Sequence, residues 1–245
     1  MDSIGFAHTY VGRRDRNEDC HLAKPDLGLY VVADGMGGHD GGEVASHLAV
    51  DIVHDFFERA AERAIASPHA AEDMMEMAFR LAHREVARER VGPLSEMGTT
   101  LAAVFLHGAH ATIAHVGDSR VYRLRDGRLD RLTRDHSLYA EIEAAGVTVA
   151  IPAARAFGHV ITRAIGVPGN ADPEISTVEV EPGDSFLLCT DGLTDTVDDD
   201  RIATILRELT PELAASALIG EAWINDSSDN ITVVVAQVPV PSARA

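Results

Sequence analysis

Basic residues are scarce in this chain. Lysine and arginine number 21 against 39 aspartates and glutamates, for a formal net charge of −18. That balance argues against nucleic acid and anionic membranes as partners, since both call for basic patches. It also gives an anionic substrate no general attraction, so bound cations or a local arginine must supply one. Cysteine is scarcer still: Cys20 and Cys189 make neither a disulfide framework nor a zinc pattern. Long apolar runs are missing, and the one at 231–240 is only about half of the roughly 20 residues a membrane span needs. The opening residues lack the apolar core and small-residue cleavage site of a signal peptide. A cytoplasmic protein in a reducing compartment is therefore the expectation. The histidines are scattered and form no HExxH.

What is there begins with LYVVADGMGGHDGG, residues 29–42. Leu29, Tyr30, Val31 and Val32 read as a short strand buried on both faces. The run meets Asp34, and five glycines follow in the next eight residues. A carboxylate at the mouth of a buried strand is costly unless something pairs with it. Glycines there let backbone come close to whatever does. The same design recurs twice: Ser185–Cys189 leads through Thr190 to Asp191-Gly192, and Ala111–Val116 leads through Gly117 to Asp118.

Periodicity supplies the rest of the outline. Residues 3–10 alternate as a strand, and 12–18 form a polar turn with three arginines. Val44, Leu48, Ile52 and Phe56 mark one face of a helix over about 42–63, and Met74, Met75, Ala78, Leu81 and Val86 mark a second that ends near Arg90. Strands follow at 99–106, 111–116 and 121–124, and Asp126-Gly127 signals a two-residue hairpin. A less patterned segment at about 133–166 contains a short helix at 137–145. Strands at 175–180 and 185–189, helices at 199–209 and 211–223, and a strand at 231–238 complete the order. Thr210 and Pro211 read as N-cap and first helical residue. Strands and helices come in blocks, which predicts an α+β fold with helices covering mainly antiparallel sheets. No linker or repeat divides the 245 residues, so a single domain is expected.

The acidic residues at strand ends and in glycine turns are Glu18, Asp19, Asp34, Asp118, Asp191 and Asp229. Brought together, they cannot all stay ionised without counter-charge from Arg13, Arg14 and Arg16 or from metal ions. An oxygen-only set selects hard cations such as Mg²⁺ or Mn²⁺.

The ordered motifs Arg14-Asp-Arg-Asn-Glu-Asp19, Val32-Ala-Asp-Gly-Met-Gly-Gly38, Gly98-Thr-Thr100, Gly117-Asp-Ser-Arg120, Cys189-Thr-Asp-Gly-Leu-Thr-Asp195 and Asp229-Asn230 together resemble the bacterial metal-dependent Ser/Thr protein phosphatases of the PPM, or protein phosphatase 2C, family. The resemblance spans about residues 4–237. It implies a four-layer α-β-β-α sandwich of two antiparallel sheets flanked by pairs of helices, with a flap at about 133–166. It implies Mn²⁺ or Mg²⁺ as cofactor, two ions and a third weaker one. Asp34 would bridge the pair, Asp191 and Asp229 would complete the first site, and Glu18 and the Gly35 carbonyl would serve the second. Asp19 would act in the outer shell. Asp118 with Asp191 would hold the third ion, and Arg14 would grip the substrate phosphate. Met36 stands where some relatives carry a histidine that protonates the leaving group. His39 is a substitute or a substrate contact, or merely a surface residue, and His159 in the flap is structural or a substrate contact. The implied partners are phosphorylated proteins, among them a bacterial Ser/Thr kinase and its substrates, acted on by a monomer.

Two other readings fail on the residues, and a third is kept as the alternative of a different class. A dinucleotide fingerprint would need glycine at position 40, which is Asp40, and no GK[ST] is present. A nucleophilic-aspartate phosphatase pattern would need aspartate where Leu193 stands. A catalytically weak relative serving as a regulatory or binding module would have lost metal-binding aspartates, and all are kept.

Overall fold

The computed structural model describes residues 3–37, 41–64, 67–147 and 157–240. Eleven strands are described: β1 (Ile4–Tyr10), β2 (Asp19–Lys24), β3 (Leu29–Met36), β4 (Gly98–Thr99), β5 (Leu101–His107), β6 (His110–Val116), β7 (Arg120–Arg125), β8 (Arg128–Arg131), β9 (Glu174–Glu179), β10 (Ser185–Cys189) and β11 (Ile231–Gln237). They form two antiparallel sheets, one ordered β1-β11-β10-β7-β8 and the other β2-β3-β5-β6-β9 with β4 beside β3. The helices are α1 (Gly41–Ala64), α2 (Pro68–Glu89), α3 (Leu138–Ala144), α4 (Asp191–Thr194), α5 (Asp199–Glu208) and α6 (Pro211–Ile224).

Strand alternation produces the layers. Leu29, Val31 and Ala33 of β3 face α1 and α2 in one buried cluster, where Phe57 meets Phe105 edge-on at 4.9 Å. Tyr30 and Val32, the intervening residues, face Phe186, Leu188, Val234 and Ala236 of the other sheet. Leu187, Cys189, Val233 and Val235 then turn outward onto α5 and α6. Both sheets are therefore apolar on both faces, as the runs in β3 and β10 predict, and the four-layer sandwich is present. The Asp126-Gly127 hairpin joins β7 to β8 with φ of 51° and 78°, the left-handed pair that such a turn needs.

Several elements differ from the expectations. β3 does not stop at Asp34 but runs on to Met36, because β4 pairs with Gly35 and Met36. β2 and α4 lie where no element is expected. The second long helix begins earlier, at Pro68, where Ser67 Oγ accepts from Ala70 N at 3.1 Å. Thr210 occupies the N-cap position of α6 but makes no side-chain capping bond.

Candidate metal centre

Each acidic residue reaches the site through a different local device. Asp34 sits in β3, held by the Thr99-Thr100 pair: its N–H donates to Thr100 Oγ1 at 2.9 Å, and its carbonyl accepts from Thr100 N at 2.8 Å and Thr99 Oγ1 at 2.9 Å. Asp118 follows β6 at Gly117, whose N–H donates to His136 Nδ1 at 3.1 Å. Asp191 is the first residue of α4, and Ser227 Oγ donates to the next carbonyl, that of Gly192, at 2.8 Å. Asp19 in β2 pairs in register with Asp34, and its Oδ2 accepts from Thr190 Oγ1 at 3.0 Å.

The loop after β1 brings the arginine and Glu18. Gly12 has φ +62°, and a Cβ there would lie 2.0 Å from the Asp229 carbonyl oxygen, so only glycine lets the two loops meet. Asn230 fixes the junction. Its Nδ2 donates to the carbonyls of Val11 and Arg16 at 2.8 Å each, and its Oδ1 accepts from Glu18 N at 2.8 Å. Arg14 then donates from Nη2 to Asp229 Oδ2 at 2.7 Å and from Nε to the Ser228 carbonyl at 3.2 Å. Gly35 is equally constrained, since a side chain would strike the Gly42 carbonyl oxygen at 2.1 Å.

These devices bring Arg14, Glu18, Asp34, Gly35, Asp118, Asp191 and Asp229 onto one cavity of about 270 Å³. Asp19 lies beneath it, buried against Thr190. His39 falls outside the described residues. Met36 lines the cavity, and so do Ile161 and His159 from the flap.

The electrostatics are those of a site short of positive charge. Burial, then the negative charges of neighbouring carboxylates, raises the pKa of Asp34. Burial likewise lifts Asp19 to about 7, Asp118 to about 8 and Asp191 to about 6. Glu18 is raised by burial, and Arg14 partly offsets the shift. Asp19 Oδ1 and Asp191 Oδ1 are buried with no hydrogen-bond partner. Orphaned acceptors on this scale are rare in folded proteins and call for an ion or water. Oxygen donors alone, clustered and underpaired, fit Mg²⁺ or Mn²⁺. The two thiols have no part in this chemistry, because burial pushes Cys20 to about 11 and Cys189 to about 12.

Two contributors are assigned no role by the sequence motifs. Asp195, one helical turn after Asp191, shares its face, and His159, Asp191 and Asp195 offer ligand atoms within 4.8 Å of one another. The i, i+4 spacing in Asp191-Gly-Leu-Thr-Asp195 is the signal for Asp195. His136 is the other. It stacks on His115 at 4.6 Å and ties the flap entry to the Gly117-Asp118 turn.

Residues 5–226 match the sequence model described as Protein phosphatase 2C. The chain is 34% identical over 234 residues to the serine/threonine phosphatase stp of Listeria monocytogenes serotype 4b, covering 91% of each protein. It is 36% identical over 255 residues to the serine/threonine protein phosphatase PstP of Mycobacterium tuberculosis, covering 97% of this chain but only 46% of PstP. The solved catalytic domain of PstP in complex with 2 manganese ions superposes with a TM-score of 0.84 at 33% identity, covering 97% of this chain and 99% of that one. PppA of Pseudomonas aeruginosa superposes with a TM-score of 0.84 at 34% identity, covering 97% and 98%. The chain belongs to the protein phosphatase 2C family of metal-dependent protein-serine/threonine phosphatases.

Proposed function

We propose that Asp34, Asp191 and Asp229, with Glu18 and the Gly35 carbonyl, hold a pair of Mn²⁺ or Mg²⁺ ions, and that Asp118 with Asp191 holds a third, weaker one. The observation that carries this reading is the unpartnered, buried Asp191 Oδ1 in a cavity where several carboxyls have raised pKa values and Arg14 is the lining arginine. When bound, the cations supply charge neutralisation at the phosphoryl oxygens and an acidified water for in-line attack.

The chain's own residues do the remaining work. Arg14, with its exposed planar fork, binds two oxygens of the phosphoryl group as substrate enters. Asp19 stays under the cavity and orients water through the carboxylate oxygen that Thr190 leaves free. Thr99 and Thr100 hold the Asp34 backbone so that its carboxyl needs no reorganisation. Met36 cannot donate a proton to the leaving alkoxide. The substrates are phosphoserine and phosphothreonine proteins, among them a Ser/Thr kinase and its targets. This activity belongs to a monomeric, single-domain catalytic unit spanning the chain.

Purified protein is expected to hydrolyse p-nitrophenyl phosphate with Mn²⁺ or Mg²⁺ and to stop on chelation. Undiminished turnover in EDTA would overturn the reading. Phosphoproteomics after gene deletion then separates a dedicated kinase antagonist from a broad phosphatase.

A further inference from the structure

The metal cavity opens into a larger groove of about 740 Å³, a volume in the range of ligand sites. The two share Asp118, His159, Asp191 and Asp229, so whatever projects a phosphate into the cavity has its neighbouring atoms in the groove. α3 and the flap entry line one side, and α4 with the 226–229 loop lines the other.

The arginines of this groove are already engaged. Arg120 donates from Nε and Nη2 to Asp135 at 3.2 and 2.9 Å and from Nη1 to Tyr122 Oη at 3.2 Å. Arg131 also bonds Asp135, and Arg134 bonds the Ala140 carbonyl. The carboxylates are less well matched. The Glu143 carboxylate has no ion-pair or hydrogen-bond partner among the described residues, and the residue is exposed. Among the described residues the Asp195 carboxylate has only the imidazole of His159 as an ion-pair partner, at 3.6 Å. A ligand lying here therefore meets unspent negative charge, on a chain whose net charge of −18 adds attraction of the same sign from a distance.

We propose that this groove receives the polypeptide flanking the phosphorylated residue and selects lysine or arginine side chains there, with Glu143 and Asp195 as specificity-determining carboxylates. The inference rests on the phosphatase reading of the adjoining cavity. It accounts for how so acidic a protein recruits an anionic group: basic neighbours carry the phosphate in. Contacts of this kind are partly exposed and individually modest, so the discrimination is a ratio rather than an absolute exclusion.

The test uses three phosphothreonine peptides that differ only in having arginine, alanine or glutamate beside the phosphosite, with Mn²⁺ and the full chain. The expected order of kcat/KM is arginine, alanine, glutamate, about tenfold from first to last, carried in KM and shrinking at high salt. Glu143→Lys is expected to collapse the arginine-to-glutamate ratio. Because each ratio is taken within one preparation, any common loss of activity cancels. p-Nitrophenyl phosphate turnover is followed alongside. Wild-type protein that hydrolyses it but shows a ratio of one, or a ratio that Glu143→Lys leaves intact, would overturn the groove assignment alone. Wild-type protein that hydrolyses nothing with metal would overturn the phosphatase reading and the groove together.

Discussion

Arg14 is bonded to Asp229, Nη2 to Oδ2 at 2.7 Å, so the side chain expected to grip phosphate leans on a carboxylate expected to hold a metal. A cation at Asp229 would draw that carboxylate's charge away from the guanidinium and turn the fork toward incoming phosphate. Arg14→Ala is therefore expected to lower kcat/KM on a phosphopeptide by about 10- to 100-fold, the worth of a hydrogen bond to a charged group. Steady-state kinetics at saturating Mn²⁺ measure it, and unchanged constants would remove Arg14 from the site.

Asp191→Asn replaces an unpartnered carboxylate with a neutral amide of the same shape. Activity is expected to fall by at least about 100-fold through lost metal, with circular dichroism unchanged. In EDTA the variant should melt higher than the wild type, because one buried negative charge among several has gone. A lower melting temperature in EDTA would contradict this account of the centre.

Protons and cations compete for the same oxygens. Asp19, Asp34, Asp118 and Asp191 have folded-state pKa values above their ordinary carboxylate value, and those of Asp191, Asp19 and Asp118 reach about 6, 7 and 8. The metal-free folded chain therefore binds more protons than the unfolded chain between about pH 4 and 8, and its stability falls as pH rises. His136 works the other way: burial lowers it to about 4, so it costs stability as pH drops below about 6.5. The melting temperature in EDTA should thus be higher at about pH 6 than at about pH 8.5, beyond the change seen with saturating Mn²⁺, which takes the protons' place. Parallel curves with and without metal would refute the linkage. Calorimetry at neutral pH should also show protons released as Mn²⁺ binds.

Gly192 lies directly against the end of the chain's acidic loop. A Cβ there would sit 1.9 Å from the Asn230 carbonyl oxygen, a backbone atom that cannot step aside alone. Gly192→Ala is expected to cost about 3 kcal/mol in a urea unfolding experiment and to weaken Mn²⁺ binding by parting Asp191 from Asp229. An unfolding midpoint equal to that of the wild type would mean that the two loops are free to separate.

The sequence was most legible where one physical signal dominated. Val31-Val32 and Phe186–Leu188 are apolar at consecutive positions because each strand lies between a helix layer and another sheet. The recurrence of aspartate after such runs pointed to Asp34, Asp118 and Asp191, positions at strand ends and turns pointed to Glu18 and Asp229, and the ordered motifs singled out Arg14 among the nearby arginines. β2 escaped because Asp19-Cys20-His21-Leu22-Ala23-Lys24 has weak alternation and owes its extended form to pairing with β3. α4 is four residues long, too short for any period to register. The groove was invisible because Glu143 and Asp195 line it from α3 and from the end of α4, and nothing local in either segment marks that shared position.

Asn230 stitches the β1 loop to the start of β11 across 219 positions of sequence. During synthesis the arginine arm leaves the ribosome long before its anchor exists. Until β11 slots between β1 and β10, no complete reactive pocket can form. A nascent copy is therefore expected to be inactive until that sheet closes.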